Sequence, residues 1–462
     1  MLRSLNRIGI LGHVGTGNLG DEAIITAVIQ NLRRRCPESE ICAFTSNPED
    51  TQERHRVPAF PLRRGRIDSR VAQQTTTADS SRPKAVSRFK SSLKRARPLY
   101  RILKATRDCA SMTVGVLQEL AFIATSYRYV KHLDLLIIAG SHQLNDFVGG
   151  AWAFPYTLLK WTLMARLAGA RVAFLSVGAG PVSSRLGKQF IRWTLALACY
   201  RSFRDERSRD LVSEIGSEGK NLFVPDLAFS LSAPEKHLSR LPSQPVIGIN
   251  PLPFFDSWYW YKSDDQLYRQ YVRKIASAAE LAIDNGYAVW LFPTQLRADP
   301  LVIEDVRSGM SERYRHHLLN WPVQNFEDLV AGISACRFVI ATRYHGILVS
   351  LLLNTPVLAL AYHGKSKDLM RLLDQDKYVL DAACWDLESL PDLFFQLDRQ
   401  RRQITEQIAL RLSTIRGMLA AQYDAVLGQT LPQSESSAAE TFGPPSEDRS
   451  IQMISGAEGA IK

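Results

Sequence analysis

The sequence predicts two α/β units in one chain, each built around a doubly wound parallel sheet. Short apolar strands alternate with helical segments through most of the 462 residues, which is the pattern of parallel sheets covered by helices. Residues 232–245 are polar and contain three prolines, as an interdomain linker does. We predict an N-terminal domain over residues 1–231, a C-terminal domain over 246–426 and a disordered tail over 427–462.

The composition excludes several classes of protein. A hydrophobic content of 45% and a charged content of 22% are typical of globular domains. The six cysteines are scattered without a CxxC pair, so we expect reduced thiols rather than a disulfide framework or a zinc site. No signal peptide is recognisable, and Lys160 and Arg166 interrupt the longest apolar stretch, residues 152–170. We therefore expect a cytoplasmic protein.

The first strand, residues 8–11, leads into a glycine-rich turn over residues 12–22 and a helix over 23–35. Its glycines, Gly17 and Gly20 among them, let the backbone approach a ligand closely. Asp21 suits the first turn of a helix electrostatically. No Gly-Lys-Ser/Thr follows, so the turn is not a Walker A motif. A tight strand-to-helix turn with Asp21 as a cap is the alternative interpretation.

After a strand over residues 41–45, the chain becomes strongly basic. Residues 54–107 contain 16 lysines and arginines against two acids. The stretch over residues 50–107 lacks hydrophobic periodicity, and we interpret it as a flexible insertion in the N-terminal domain or as a pair of loosely attached helices. An anionic membrane leaflet is a plausible partner, and a solvated linker is the alternative. Few aromatic residues interleave with the charges, which argues against nucleic acid.

The rest of the N-terminal domain continues the alternation of strand and helix. Its loops after strand ends carry candidate ligand contacts, His142 in the stretch Gly140-Ser141-His142 and Arg204 in the stretch over residues 202–208. The predicted helices cover residues 111–131, 152–168 and 185–199, and the predicted strands cover 133–139, 171–177 and 222–224.

The C-terminal unit begins with a strand over residues 246–250 and an aromatic loop over 251–261. Consecutive residues of an extended segment point to opposite faces, so the four aromatic residues 258–261 are unlikely to be all core. We expect some of them to contact a sugar or a partner. Further helices are predicted at residues 265–285, 299–309, 326–334 and 387–426, with a strand at 288–292.

Residues 338–367 are the stretch around which the chain is organised. Two short buried strands, 338–341 and 357–361, flank a buried helix over 347–353, which is a compact βαβ unit. Ligands bind beyond the carboxyl ends of such strands. Arg343 and His345 follow the first strand, and His363 and Lys365 follow the second. The sequence therefore predicts an anion site with a titratable group beside it.

Five motifs in order resemble the polysaccharide pyruvyl transferase family over roughly residues 8–370. They are the turn Gly12 to Glu22, the stretches 176–181, 203–208 and 225–229, and Arg343-Tyr344-His345 continuing through Tyr362 and Lys365. The resemblance implies a GT-B-like fold, in which two Rossmann-like domains face a cleft. It also implies transfer of the enolpyruvyl group of phosphoenolpyruvate to two sugar hydroxyls, which leaves a pyruvate ketal. Phosphoenolpyruvate is then a substrate, and neither a cofactor nor a metal is required.

The resemblance assigns roles to the candidate residues. Arg343, Lys365 and Arg204 would bind the donor's anionic groups, and His345 would act as a general acid or base. Asp21 and Asn18 would orient the acceptor hydroxyl or supply a base, and Gly17, Gly20 and His142 would line the substrate site together with His13. The structural alternatives are a surface ion pair for Arg343, a buried and hydrogen-bonded side chain for His345 and a solvent-facing side chain for Lys365. For Arg204 the alternative is a pair with Asp205 at a helix start, and for Asp21 and Asn18 it is simple capping.

One departure from the family pattern is the stretch Gly140-Ser141-His142, which stands where a glycine run is usual and adds side chains to a crowded loop. The acceptor would be a cell-surface polysaccharide or its lipid-linked precursor, reached from the cytoplasm or from the inner face of the membrane. A GT-B-type nucleotide-sugar glycosyltransferase is the alternative enzyme. A non-catalytic glycan-binding or membrane-binding relative is the third interpretation, but it would not need Arg343 and His345 together.

Overall fold

The computed structural model describes residues 5–12, 15, 17–64, 97–147, 149–217, 219–232, 242–260 and 262–428, with the backbone alone for 97–112. Several sequence predictions fall outside these residues. They concern His13, Tyr261, most of the basic segment and the tail after residue 428.

The N-terminal domain is built on seven parallel strands in the order β3-β2-β1-β4-β5-β6-β7. The central strands β1 and β4 pair in register from Ile8 with Leu135 to Leu11 with Ile138, and both are almost wholly buried. The strand order reverses between these two, which is the point where open α/β sheets bind ligands. The strands are β1 (Arg7–Leu11), β2 (Glu40–Thr45), β3 (Ala59–Pro61), β4 (Leu135–Ala139), β5 (Arg171–Val177), β6 (Tyr200–Phe203) and β7 (Leu222–Phe223).

The helices of this domain cover both faces of the sheet, because its strands are apolar on both sides. They are α1 (Leu19–Arg35), α2 (Pro48–His55), α3 (Arg97–Val130), α4 (Phe154–Leu167), α5 (Arg185–Ala196), α6 (Glu206–Glu214) and a 3₁₀ turn (Leu227–Ser230). Two segments differ from the sequence prediction. The start of the expected insertion forms α2 and the edge strand β3, and α3 begins before residue 111. Both belong to the fold although their polar sequences carry little periodicity.

The C-terminal domain has a five-stranded sheet in the order β12-β11-β10-β8-β9, in which every pair is parallel. Its strand order reverses between β8 and β10, so this domain has its own ligand-binding edge. The two doubly wound parallel sheets predicted from the sequence are thus confirmed. The strands are β8 (Val246–Asn250), β9 (Ala288–Leu291), β10 (Cys336–Ala341), β11 (Val357–Ala361) and β12 (Val379–Asp381).

The helices of the C-terminal domain pack on both faces of this sheet. They are α7 (Asp265–Asp284), α8 (Asp299–Gly309), α9 (Glu312–Arg315), α10 (Phe326–Ala335), α11 (Tyr344–Leu352), α12 (Gly364–Leu372), a 3₁₀ turn (Asp376–Tyr378), α13 (Leu390–Arg399) and α14 (Arg401–Leu427). α11 begins at Tyr344 rather than at the predicted residue 347, so His345 lies in its first turn. Within the described residues, no helix combines the length and the apolar character that crossing a bilayer would require.

Contacts in two regions join the domains away from the sheets. α14 returns to the N-terminal domain, where Asp424 pairs with Arg35 at 2.9 Å and Gln422 hydrogen-bonds Ser202. On another side, the amide of Leu19 donates to the carbonyl of Thr294 at 2.9 Å. This second contact attaches the glycine-rich turn directly to the C-terminal domain.

Gly332 provides a test of the packing between α10 and β9. A Cβ at this helical position would overlap the indole ring of Trp290, whereas a Cβ at Gly417 in α14 would meet nothing within 4 Å. We expect Gly332→Ala to destabilise the protein by about 1–3 kcal/mol through overpacking. Gly417→Ala should stabilise it by up to about 1 kcal/mol, because alanine favours a helix. Urea unfolding measures both, and a Gly332→Ala protein as stable as the wild type would contradict this account.

Candidate active site

The loops that follow β1 and β4 meet those that follow β10 and β11. Gly20 stands in the first turn of α1, and a Cβ there would overlap the ring of His345 from the opposite domain. Lys365, at the start of α12, places its Nζ atom 3.0 Å from both ring nitrogens of His142. The ligand-binding edges of the two sheets therefore form one site, as the sequence predicted for residues after parallel strands.

His345 is held in its neutral form. Burial lowers its pKa to about 3, and the positive charges of Arg204 and Arg343 add to this effect. Its Nε2 atom is buried and has no hydrogen-bond partner within the described residues. A buried polar atom without a partner is rare in folded proteins and often marks a position that a ligand completes.

Arg204 is the second group whose hydrogen bonding is incomplete. Its guanidinium is buried, with Nη1 3.4 Å from Oδ2 of Asp226. The Nε atom lies 3.5 Å from Oδ2 of Asp205, too far for a hydrogen bond, and has no other partner in the part of the chain that the structure describes. The predicted Arg204–Asp205 pair therefore exists only as a weak contact. The guanidinium also lies over the ring of Tyr344, 5.2 Å from its centroid.

His142 fits into the crowded loop because two glycines face it. A Cβ on Gly178 would lie 2.8 Å from Nε of Arg204 and 2.9 Å from Nδ1 of His142, and a Cβ on Gly180 would overlap the His142 ring. Gly178 and Gly180 in the loop after β5 have no side chains, and this leaves room for the extra side chains of the stretch 140–142. Burial, and then the charge of Lys365, holds the pKa of His142 well below its ordinary value.

His363 completes a group of three histidines with lowered pKa values. It caps α12 by accepting a hydrogen bond from the amide of Lys365 at 3.1 Å. Burial and the charge of Lys365 lower its pKa to about 4. The cations Arg204 and Lys365 lie beside these neutral histidines, next to the N-termini of α11 and α12, and Asp205 and Asp226 offset part of the charge of Arg204. Such a site favours an anion with several charges.

Asp21 has a raised pKa, in contrast to the lowered pKa values of the three histidines. Burial raises its pKa to about 7, and a hydrogen bond with the side chain of Ser141 opposes the rise only in part. The negative charge of neighbouring Glu22 adds to the rise, while Arg204 opposes it. A carboxyl group with a pKa near 7 can accept or release a proton at neutral pH, which is what a general acid or base requires.

Gly17 and Asn18 are placed differently from Asp21. Asn18 caps α1 by accepting from the amide of Gly20 at 3.1 Å, which agrees with the capping alternative. The carbonyl of Gly17 accepts from the amide of Leu296 at 2.9 Å, and Asn18 forms a bridge with Gln295. These two residues hold the turn against the C-terminal domain, and their predicted contact with substrate stays a prediction.

Arg343 is engaged by protein groups. Its Nε donates to Oδ1 of Asp299 at 2.9 Å, its Nη2 donates to the same oxygen, and its Nη1 donates to the hydroxyl of Tyr259 at 3.0 Å. Asp299 also accepts from the amides of Thr294 and Gln295. Asp299 was not predicted from the sequence, because an aspartate before Pro300 is typical of an ordinary helix start. The ion pair of Arg343 is therefore buried and not the surface pair of the alternative interpretation, and donor binding by Arg343 stays a prediction.

The aromatic loop divides between core and surface. Trp260 is buried and stacks on Phe255 with ring centroids 4.9 Å apart. Trp258 is half exposed, and Tyr259 reaches Arg343. The four aromatic residues are therefore not all core, and Trp258 is the most exposed of the three that the structure describes.

Glu22 and His55 form a buried pair that supports the glycine-rich turn. Oε1 of Glu22 accepts from the amide of Gly15 at 3.0 Å, and Oε2 of Glu22 lies 2.7 Å from Nε2 of His55. His55 belongs to α2, which the sequence analysis assigned to an insertion, so this support was missed. Within the described residues, no cluster of three or more His, Cys, Asp or Glu side chains could hold a metal ion.

Comparison with known proteins bears on the fold and the family. A family model described as polysaccharide pyruvyl transferase matches residues 18–364, more than half of the chain. The chain is also similar to a UDP-GlcNAc 2-epimerase from Neisseria meningitidis solved with UDP-GlcNAc, with a TM-score of 0.53 and 12% identity over 92% of this chain and 100% of that one.

Two further solved structures show the same architecture. They are α,α-trehalose 6-phosphate synthase from Burkholderia multivorans, with a TM-score of 0.50, 11% identity and coverage of 92% of this chain and 97% of that one, and S. aureus MnaA solved with UDP, with a TM-score of 0.50, 8% identity and coverage of 92% and 98%. These neighbours are GT-B-fold enzymes, and the predicted GT-B-like arrangement of two domains facing a cleft is confirmed.

The raised pKa of Asp21 predicts a pH-dependent difference in stability. Folded Asp21 keeps its proton to about pH 7, whereas an unfolded aspartate loses it near pH 4. Asp21 therefore destabilises the folded state progressively as pH rises from about 4 to about 7. Asp21→Asn lacks this effect, so its stability relative to the wild type should increase over that interval by at most about 4 kcal/mol and then level off.

Urea unfolding at a series of pH values measures this difference. Asp210→Asn is the matched control, because Asp210 is exposed on α6 and should show no such trend. A constant difference between Asp21→Asn and the wild type across the interval would contradict the raised pKa.

Proposed function

The chain belongs to the polysaccharide pyruvyl transferase family, and we propose that it transfers the enolpyruvyl group of phosphoenolpyruvate to sugar hydroxyls. The acceptor is a cell-surface polysaccharide or its lipid-linked precursor, the product is a pyruvate ketal, and phosphate is released. The observation that carries this proposal is the incomplete hydrogen bonding of two buried atoms, Arg204 Nε and His345 Nε2, in a cleft that also contains the cation Lys365.

Donor binding is proposed to use the cations of the cleft. Phosphoenolpyruvate has a phosphate and a carboxylate on neighbouring atoms, and both are anionic at neutral pH. Arg204 can donate through its unpartnered Nε, and Lys365 adds an ammonium group. His142 accepts from Lys365 in its neutral form and so orients the ammonium group. Arg343 supports the same region and has two further N–H bonds on its guanidinium.

The reaction requires one proton to be delivered and two to be removed. A proton adds to the methylene carbon of the donor, a sugar hydroxyl attacks the neighbouring carbon, and the C–O bond to phosphate breaks. The second hydroxyl then attacks the same carbon to close the ketal. One of the two hydroxyl protons replaces the proton that became part of the methyl group, and the other leaves with phosphate or solvent.

We assign proton delivery to His345. The charges of Arg204 and Arg343 help to keep it neutral while the cleft is empty. A bound anion offsets those charges and raises the pKa of the imidazole, since an opposite charge within about 4–6 Å favours the protonated form. The donor thereby makes the imidazole basic enough to take up the proton that it then delivers.

We assign the removal of a hydroxyl proton to Asp21. It stands in the first turn of α1, next to Gly20, against which the His345 ring packs. Its pKa of about 7 suits a base that works near neutral pH. The exposed Trp258 is proposed to stack on the acceptor sugar, because flat apolar rings and sugar rings offer matching surfaces.

The direct test is phosphate release from phosphoenolpyruvate, with and without acceptors. A suitable panel contains α- and β-linked galactose, glucose and N-acetylmannosamine glycosides. We expect release that depends on an acceptor, together with a product heavier by the mass of the ketal group. No release with any acceptor, combined with thermal stabilisation by a nucleotide sugar, would overturn the proposal in favour of a glycosyltransferase.

Two substitutions separate donor binding from proton transfer. Arg204→Lys keeps the charge but removes Nε, so KM for phosphoenolpyruvate should rise about tenfold, the cost of one lost charged hydrogen bond. His345→Ala should lower kcat by about 100-fold or more with the fold intact, as expected for loss of a general acid. Arg402→Lys and His317→Ala, both at exposed positions, are the matched controls. A near-normal kcat in His345→Ala would contradict the assignment of proton delivery to His345.

A further inference from the structure

The N-terminal domain has an unusually apolar outer surface where α3, α4 and α5 lie side by side. Ten of the fourteen large apolar side chains that are exposed among the described residues belong to these helices or to the loop before α4. The other four are scattered over the C-terminal domain. Trp152 is 67% exposed and Trp193 is 50% exposed. A concentration of this kind usually marks an interaction site.

Ring contacts and a shallow cavity make part of this surface continuous. Trp152 lies edge-on to Phe190 with ring centroids 5.5 Å apart, and Phe190 is 6.1 Å from Trp193. A cavity of about 320 Å³ between α3 and the start of α4 is lined by Val116, Leu120, Trp152 and Tyr156 among others. We call this continuous set the apolar face, and it consists of Val116, Leu120, Trp152, Tyr156, Phe190 and Trp193.

The charges around the apolar face are almost all positive. α4 and α5 contain no acidic residue. Arg185, Lys188 and Arg192 are exposed along α5. Over residues 113–130, the part of α3 whose side chains are described, the one acid is Glu119, and it is paired with Lys160 at 2.6 Å. The sequence that leads into α3 also carries 16 lysines and arginines against two acids over residues 54–107.

We propose that the apolar face docks this protein on the surface of an anionic lipid bilayer. Exposed tryptophans surrounded by basic side chains suit the boundary between lipid headgroups and acyl chains, where aromatic rings insert and cations meet anionic lipid. With no spanning helix among the described residues, the contact is peripheral. This inference does not depend on which reaction the cleft catalyses.

The charge pattern favours a bilayer over a second copy of the chain. A two-fold symmetric dimer would bring the same face of both copies together. The basic residues of α5 would then face their own counterparts without acids to pair with, and like charges in an interface are unfavourable. An anionic bilayer supplies the missing negative charge.

The test is flotation of the full chain with phosphatidylcholine vesicles that do or do not contain about one third phosphatidylglycerol. We expect binding to the anionic vesicles, little binding to pure phosphatidylcholine, and weaker binding at high salt. The double variant Trp152→Ser/Trp193→Ser should bind at least about tenfold more weakly. Circular dichroism verifies that both proteins are folded.

Leu387→Ser/Leu410→Ser is the matched control, since both leucines are exposed outside the apolar face, and it should bind as the wild type does. Equal loss of binding in the control and the tryptophan variant would overturn the proposal. A wild-type protein that does not bind the anionic vesicles would also overturn the proposal. A wild type that forms dimers, which the tryptophan variant loses, together with no lipid binding, would assign the face to self-association instead.

Discussion

The buried ion pair between Arg343 and Asp299 is the constraint on which the geometry of the cleft depends. The amides of Thr294 and Gln295 donate to Asp299, which fixes the loop over residues 294–296. The amide of Leu296 in that loop donates to the carbonyl of Gly17. The start of α1 is thereby placed beneath His345. Removing one partner of a buried ion pair costs about 3–5 kcal/mol, so the loop has little freedom to move away. A pair formed within one domain thus sets the distance between the two domains.

The electrostatics of the cleft connect binding to reactivity. Arg204 and Lys365 help to keep His142, His345 and His363 uncharged. An anion that enters the cleft neutralises the cations and, by the same interaction, makes the histidines more basic. Under the role that we propose for His345, the imidazole would take up a proton only when a charged substrate is present. An empty site of this kind does not hold a proton that could be lost to solvent.

Much of this arrangement follows from the sequence because parallel sheets impose it. Candidate residues such as His345 and Lys365 follow neighbouring strands, whose carboxyl ends share one edge. Their chemical roles are still predictions. Asp299 could not be found in this way, because its partner lies 44 residues away and nothing local distinguishes it from a helix start. α2 and β3 were not predicted within residues 50–61, because a polar helix and a strand of three residues leave almost no periodic pattern.

The return of α14 to the N-terminal domain has a consequence for how the protein is made. Gln422 is buried and hydrogen-bonds the hydroxyls of Ser176 and Ser202, and Ser176 lies in the left-handed region with φ of +48°. During translation, domains generally fold from the N-terminus onward. Ser202 in β6 therefore leaves the ribosome 220 residues before Gln422, whose side chain accepts its hydrogen bond. Until that helix is synthesised, the nascent domain exposes an incomplete core, which is a state that chaperones and proteases recognise.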